Sequence, residues 1–329
     1  MVAQNLLTVI AIFFLGVPSA LAQGDHIATL VKVEGEVKLL QDPAPTAKSE
    51  KNQALYNGKY YTFRMAKLGT KVRRGDVVQT GNNAKAKIVY ENGDQIILAP
   101  SSSYRALSTK EDRTVIDLFF GKIRSVVRPK GPRENMVVRS RSLAMGVRGT
   151  DFFVADPDEK GRAAIVVVRG KIEAMPTGLE AKPVEVPAGY VVSTAPAGST
   201  PNDKKEAPKP LAVERSTKTE LLEVQKSSLL AKTTPEAMKD LTPDLQKEIV
   251  DLEKESVEAT IQDIKAADPE LFERAKIDVT KVEDVEQLLT ISVKQAFDEA
   301  PAGAKDSKPS EQDLKDLNED VYKKYFKTE

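Results

Sequence analysis

Cysteine and tryptophan are absent from the 329 residues, histidine occurs once, and aromatic residues make up only 5%. Without cysteine there is no thiol nucleophile, no disulfide and no cysteine-ligated zinc. His26 stands alone near the N-terminus and reads as a frayed, solvated residue in preference to a catalytic base, and a histidine metal triad is excluded. Neither a glycine-rich phosphate loop nor a calcium-loop spacing occurs. Ser101-Ser102-Ser103 follows Pro100 and reads as turn chemistry in preference to a Ser/Lys site. Acidic pairs in the C-terminal half sit on solvated helix faces, which is not a carboxylate site. The expectation is a protein that is not an enzyme and holds no metal or cofactor.

Long hydrophobic runs are also missing. Leu6 to Val17 is apolar but too short to span a bilayer, and Ala20-Leu21-Ala22 has the small-x-small form that precedes cleavage. Residues 1–22 therefore read as a signal peptide, with the α-amino group supplying the positive charge ahead of Leu6. No later run approaches the length of a membrane span. The expected location is the periplasm, with secretion as the alternative, and export makes nucleic acid a poor partner. Net charge is zero, yet it divides unevenly: residues 201–329 hold 21 Lys and Arg against 30 Asp and Glu, and residues 1–200 hold 28 against 19. A basic first part and an acidic second part bear on partners.

From residue 23 to 195 the pattern is that of β-strands. Ile27 to Val33 alternates, turns at Glu34-Gly35-Glu36 and resumes at Val37 to Leu40. Tyr56, Tyr60, Tyr61 and Phe63 concentrate the aromatic residues. They suit an edge hairpin covering the core, or a stacking platform for a sugar or partner. Ala84, Ala86, Ile88 and Tyr90 share one face, and Asn92-Gly93 is a strong hairpin signal before Gln95 to Leu98. Val115 to Phe120, Ile123 to Val127 and Ile165 to Val168 continue the series. Short strands at regular spacing with no helix between them predict an all-β barrel, sandwich or coil of strands.

Gly146 and Gly149 bracket Val147-Arg148, and Thr150-Asp151 lead into Phe152-Phe153-Val154. Glycine permits a turn or a close backbone approach here. An arginine in such a corner is expected to be buried with a fixed partner, since an unpaired buried charge is costly. The alternative makes Arg148 and Asp151 a binding pair.

Gly75-Asp76-Val77-Val78-Gln79-Thr80-Gly81, Ala84 to Ile88 and Asn92-Gly93-Asp94-Gln95-Ile96-Ile97-Leu98 follow one another in a distinctive order. Leu118 to Ile123, Val147-Arg148-Gly149-Thr150-Asp151-Phe152 and Ile165 to Glu173 complete it. Residues Lys67 to Ile172 resemble the FecR domain, named for the periplasmic part of an iron-citrate signalling regulator. The resemblance implies a wound, solenoid-like or sandwich-like β domain in the periplasm. That regulator carries a cytoplasmic anti-sigma segment and a membrane helix ahead of the domain, where this chain is expected to have a cleavable signal.

Residues 196–210 form a proline-rich linker that cannot bury a core. From 211 to 329 the pattern turns helical. Thr234-Pro235-Glu236, Thr242-Pro243-Asp244 and Asp268-Pro269-Glu270 each place a cap, a proline and an acid at a helix start. Thr280 and Ser310 open capping-box-like starts. Leu245, Ile249, Leu252 and Ile264 fall on one helical face. The stripes are thin, so the expectation is a small acidic bundle or a looser set that packs only against a partner.

Lys122, Arg124, Arg128 and Lys130 share strand parity, as do Arg139 and Arg141 on the next β segment. If the segments lie side by side they make a basic stripe. It could be a solubilising face, a site for an anionic cell-wall polymer or lipid phosphate, or a dock for the acidic helical half. The whole reads as a non-catalytic binding or scaffolding module of the cell envelope. A sensory or regulatory component that signals to a membrane partner is the alternative.

Overall fold

The computed structural model describes residues 26–47, 52–108, 114–128, 136–157, 162–177, 181–194, 211–231 and 235–267. The leader, the linker, Lys130, Thr234 and the helix starts at Asp268, Thr280 and Ser310 lie outside them.

The chain is mainly β. In order it forms β1 (His26–Glu34), β2 (Val37–Ala44), β3 (Gln53–Tyr56), β4 (Lys59–Met65), β5 (Lys71–Arg73) and β6 (Val77–Thr80). There follow β7 (Lys85–Tyr90), β8 (Gln95–Leu98), β9 (Ser103–Ser108), β10 (Thr114–Val126), β11 (Met136–Arg139) and β12 (Leu143–Val147). The series ends with β13 (Asp151–Asp156), β14 (Ala164–Arg169), β15 (Lys171–Pro176), β16 (Val184–Pro187), β17 (Tyr190–Ser193) and β18 (Ala212–Arg215). The helices are α1 (Lys218–Ser228), α2 (Pro235–Met238) and α3 (Pro243–Ala267).

The strands pair into two ladders. The first sheet runs β5-β1-β7-β8-β10-β13-β14-β17-β18. The second runs β3-β4-β2-β6-β9-β10-β11-β12-β15-β16, antiparallel except for β10 with β11. β10 belongs to both. Its first half pairs with β9 and β11, and its second half with β8 and β13. The switch falls at Gly121, whose φ of 93° suits glycine and where a Cβ would collide with Ser102. Between the sheets lies one core that draws Leu30, Ile88, Leu98, Phe152, Val154 and Ile165 from the first and Leu39, Val78, Ile116, Met145 and Ile172 from the second.

The acidic helices do not stand apart. Leu221 and Val224 of α1 pack on Phe153, Val166 and Val191, which point outward from the first sheet. Ile249 of α3 packs on Val31 and Val89, with Leu245 and Leu252 beside it. The first sheet is thus apolar on both faces. This is why Ile96 to Leu98 and Ile165 to Val168 are continuous apolar runs and not alternating ones. β18 joins the first sheet beside β17, so part of the segment assigned to the helical region belongs to the β domain.

Local chemistry starts the helices. Thr217 caps α1 and accepts from the Glu220 amide, while Glu220 accepts from the Thr217 amide in a capping box. Thr242-Pro243-Asp244 opens α3 as expected, the Thr242 hydroxyl accepting from Leu245 N.

Candidate functional site

The basic residues singled out in the sequence do not form one stripe. Because β10 changes sheet at Gly121, Lys122 and Arg124 project from the first sheet toward the helices, whereas Arg139 on β11 projects from the second sheet. On the first sheet the cations are taken up by the chain's own acids. Lys122 Nζ donates to Glu223 on α1, and Arg128 lies 3.3 Å from Glu255 on α3. Lys71 donates to Glu248. A bulge after Leu30 turns Lys32 to the same face as Val31 and sets it directly across from Lys87. Glu253 lies 3.8 Å from both of these buried lysines.

Arg124 is fully buried, between the outer face of the first sheet and α1. Its Nε and Nη2 donate to the two oxygens of Asp151 at 2.8 and 2.7 Å, and Nη1 donates to Ser228 Oγ at 3.2 Å. The planar fork matches the carboxylate, and the helix hydroxyl takes a remaining donor.

The corner at Gly146 to Asp151 differs from its expected form. Arg148 is exposed, and among the described residues its side chain has no hydrogen-bond or ion-pair partner. Thr150 locks the turn instead: its hydroxyl bonds the carbonyls of Arg148 and Lys171 at 3.0 and 2.8 Å, and its own carbonyl accepts from Val127 N. Gly149 has a φ of 61°, as a left-handed corner requires. Gly146 lies within β12 and a Cβ there would meet nothing within 4 Å. Asp151 does hold a buried arginine, but it is Arg124. The residue with the right chemistry came from a strand 27 positions upstream.

The outer face of the second sheet is free of helices among the described residues. At one end Leu40, Tyr61 and Val77 gather Tyr56, Phe63 and Phe119. Tyr56 meets Phe119 edge-on at 5.1 Å and shares a 2.7 Å hydrogen bond with Ser103. Burial pushes the Tyr56 hydroxyl up to about 12 despite that bond. These side chains cover the core as an edge hairpin does, and Leu55 remains exposed at the rim.

A charged row follows in register. Asp117 lies between Arg105 and Arg139, which donate to its two oxygens at 2.6 and 2.8 Å. Half of the Arg139 side chain is open to solvent. Arg141 is exposed in the turn before β12. Beyond lies a groove of about 450 Å³ over Val137, Gly146, Arg148, Lys171, Glu173 and Glu185.

A smaller cavity, about 100 Å³, separates α1 from the first sheet over Phe153, Ala155, Ala164 and Val166. Lys122, Arg162, Glu220 and Glu223 rim it. Ser102 serves the backbone, accepting from Lys122 N and donating to Pro100 O. No cluster of metal-ligating side chains occurs among the described residues. None of the described helices is long and apolar enough to cross a membrane.

No curated protein matches the chain. Two crystal structures of a candidate anti-sigma factor from Parabacteroides distasonis ATCC 8503 are similar to it, with TM-scores of 0.38 and 0.37 at 14% identity. Each alignment covers 49% of this chain and 69% of that protein. A family model described as FecR protein matches residues 76–173, from the buried Asp76 before β6 to Glu173 on β15. The span holds both halves of β10, the Arg124–Asp151 pair and the Gly149 corner, and this chain therefore contains a FecR domain.

Proposed function

We propose that this chain is a non-catalytic regulatory component of the cell envelope, which binds a partner with its β domain and relays occupancy through the helices docked on it. The FecR match over residues 76–173 carries the reading, since that family is named for a signalling regulator. It favours regulation over the passive scaffold that the composition alone suggests. The docked helices suit a relay. Their apolar contact is narrow, and Lys122–Glu223 and Arg128–Glu255 reach solvent at the margin. An element held in this way opens at low cost compared with the core.

The proposed place of action is the periplasm, after cleavage of the leader, and the partner is an envelope protein. The first-sheet cations are neutralised internally, which speaks against an anionic polymer lying along them.

Transcript profiling of a deletion strain tests the proposal. The expected result is a defined set of altered transcripts, restored by the full-length chain but not by Lys122→Glu, which repels Glu223. Unchanged transcripts together with impaired envelope integrity would mean a scaffold and not a regulator. Fractionation must also recover the shortened chain from the periplasm.

A further inference from the structure

α3 lies on the outer face of the first sheet, and what it touches there defines the kind of occupant the face takes. The apolar part is made by Val31 and Val89, on which Ile249 packs with Leu245 and Leu252 beside it. Gly69 opens a notch for Leu245, since a Cβ at that glycine would lie 2.7 Å from the leucine. The polar part is basic. Lys71 bonds Glu248, Arg128 lies 3.3 Å from Glu255, and Lys32 and Lys87 share Glu253. The face thus suits an acidic amphipathic helix, with apolar residues at i, i+4 and i+7 and acids at i+3, i+8 and i+10.

The fit of α3 is incomplete at one place. Lys32 and Lys87 stand directly opposite each other on β1 and β7 and are 4% and 1% exposed. Like charges so placed repel. α3 supplies one carboxylate to the two. Glu253 lies 3.8 Å from each ammonium, and its Oε1 is buried with no hydrogen-bond partner among the described residues. One turn further along the same helix face is Val257, which is buried and offers no charge. The resident helix keeps its place partly because it is tethered, and a tether compensates for a poor contact. A helix with an acid at both positions would give each lysine its own carboxylate. A second copy of this chain brings the same single glutamate and gains nothing over the resident α3.

We propose that this face of the first sheet is a docking site for an acidic amphipathic helix of a partner protein, and that α3 holds the site until that helix displaces it. The partner's helix repeats the apolar positions of α3 and carries two acids one turn apart, where α3 has Glu253 and Val257. This deepens the regulatory reading by naming the partner and the surface, and rests on it in requiring α3 to open. The binding test has no transcriptional readout, so its failure is distinct from a failure of that reading.

The test uses the full chain and two fluorescein-labelled peptides, one a copy of Pro243–Ala267 and the other the same copy with Val257→Glu. Anisotropy should show saturable binding of the two-acid peptide, about tenfold or more tighter than that of the plain copy. At saturation the amides of the chain's own α3 should lose exchange protection, while Leu39 on the second sheet keeps it. Lys87→Met removes one ammonium at similar side-chain length and should abolish the preference between the peptides. Lys32→Met makes the same test if the first variant does not fold. Absence of saturable binding overturns the proposal. So do equal affinities of the parent chain for the two peptides, a preference that survives the lysine substitution, or binding that leaves α3 protected.

Discussion

The two sheets share one core, yet their outer faces have opposite fates. On the first, Val31, Val89, Phe153 and Val166 are buried under helices, Lys122 meets an acid of α1, and the buried Lys32 and Lys87 face an acid of α3. On the second, Arg148, Lys171 and Glu173 stand in solvent around an open groove. The lesson is that positive charge in a strand does not identify a binding face. The sequence leaves Lys122 and Arg124 open to solvent, to an external anion or to the acidic helical half; Lys122 meets Glu223 of α1, and Arg124 holds Asp151.

Substitutions should separate the faces, and the largest effect belongs to Arg124. Replacing it by alanine strands the buried Asp151 carboxylate, at a cost of about 3–5 kcal/mol. A matching loss of stability in urea melts is expected, and a near-neutral result would mean that the pair is not buried. Next comes Ile249→Ala on α3, with about 2–5 kcal/mol lost from the helix–sheet contact. Hydrogen exchange should then accelerate at Val31 and Val89 and remain slow at Leu39 on the other sheet.

Acid acts on the same interface more gently. Burial pushes the Glu223 carboxyl up, but the hydrogen bond and charge of Lys122 outweigh it, and the net direction is down. A lowered folded value means that the contribution is fully present above the unfolded value near 4.5 and is lost as pH falls through the folded one. The α1 amides should therefore lose exchange protection on acidification below that range, and Glu223→Gln should flatten the dependence. Asp76 has the opposite sign. Burial raises it despite bonds from Arg73 N and Gln41, so protonating Asp76 favours the fold. Smallest of all is Arg148→Ala, within about 0.5 kcal/mol of the parent, as for other surface changes.

The strands were legible because alternation, Asn92-Gly93 and the glycine corners are local signals. So were the starts of α2 and α3, written in proline and acid. What escaped was non-local. Arg124 and Asp151 meet through the β10–β13 register, which no spacing along the chain encodes. The change of sheet at Gly121 sent Lys122 and Arg139 to different faces, and parity counts within each strand could not reveal that. Arg148 looked buried because its neighbours are apolar, yet its side chain points away from the core. A clue to the covered face was present in Ile96-Ile97-Leu98 and Ile165 to Val168, whose unbroken apolarity demands burial on both sides.

Lysine-directed acetylation of the intact chain, read by mass spectrometry, asks most directly whether the first sheet is covered. Lys32 and Lys87 are 4% and 1% exposed beneath α3, whereas Lys171 on the second sheet is 67% exposed at its side chain. The account predicts rapid labelling at Lys171 and protection at Lys32 and Lys87. Labelling of all three at the same rate would contradict it.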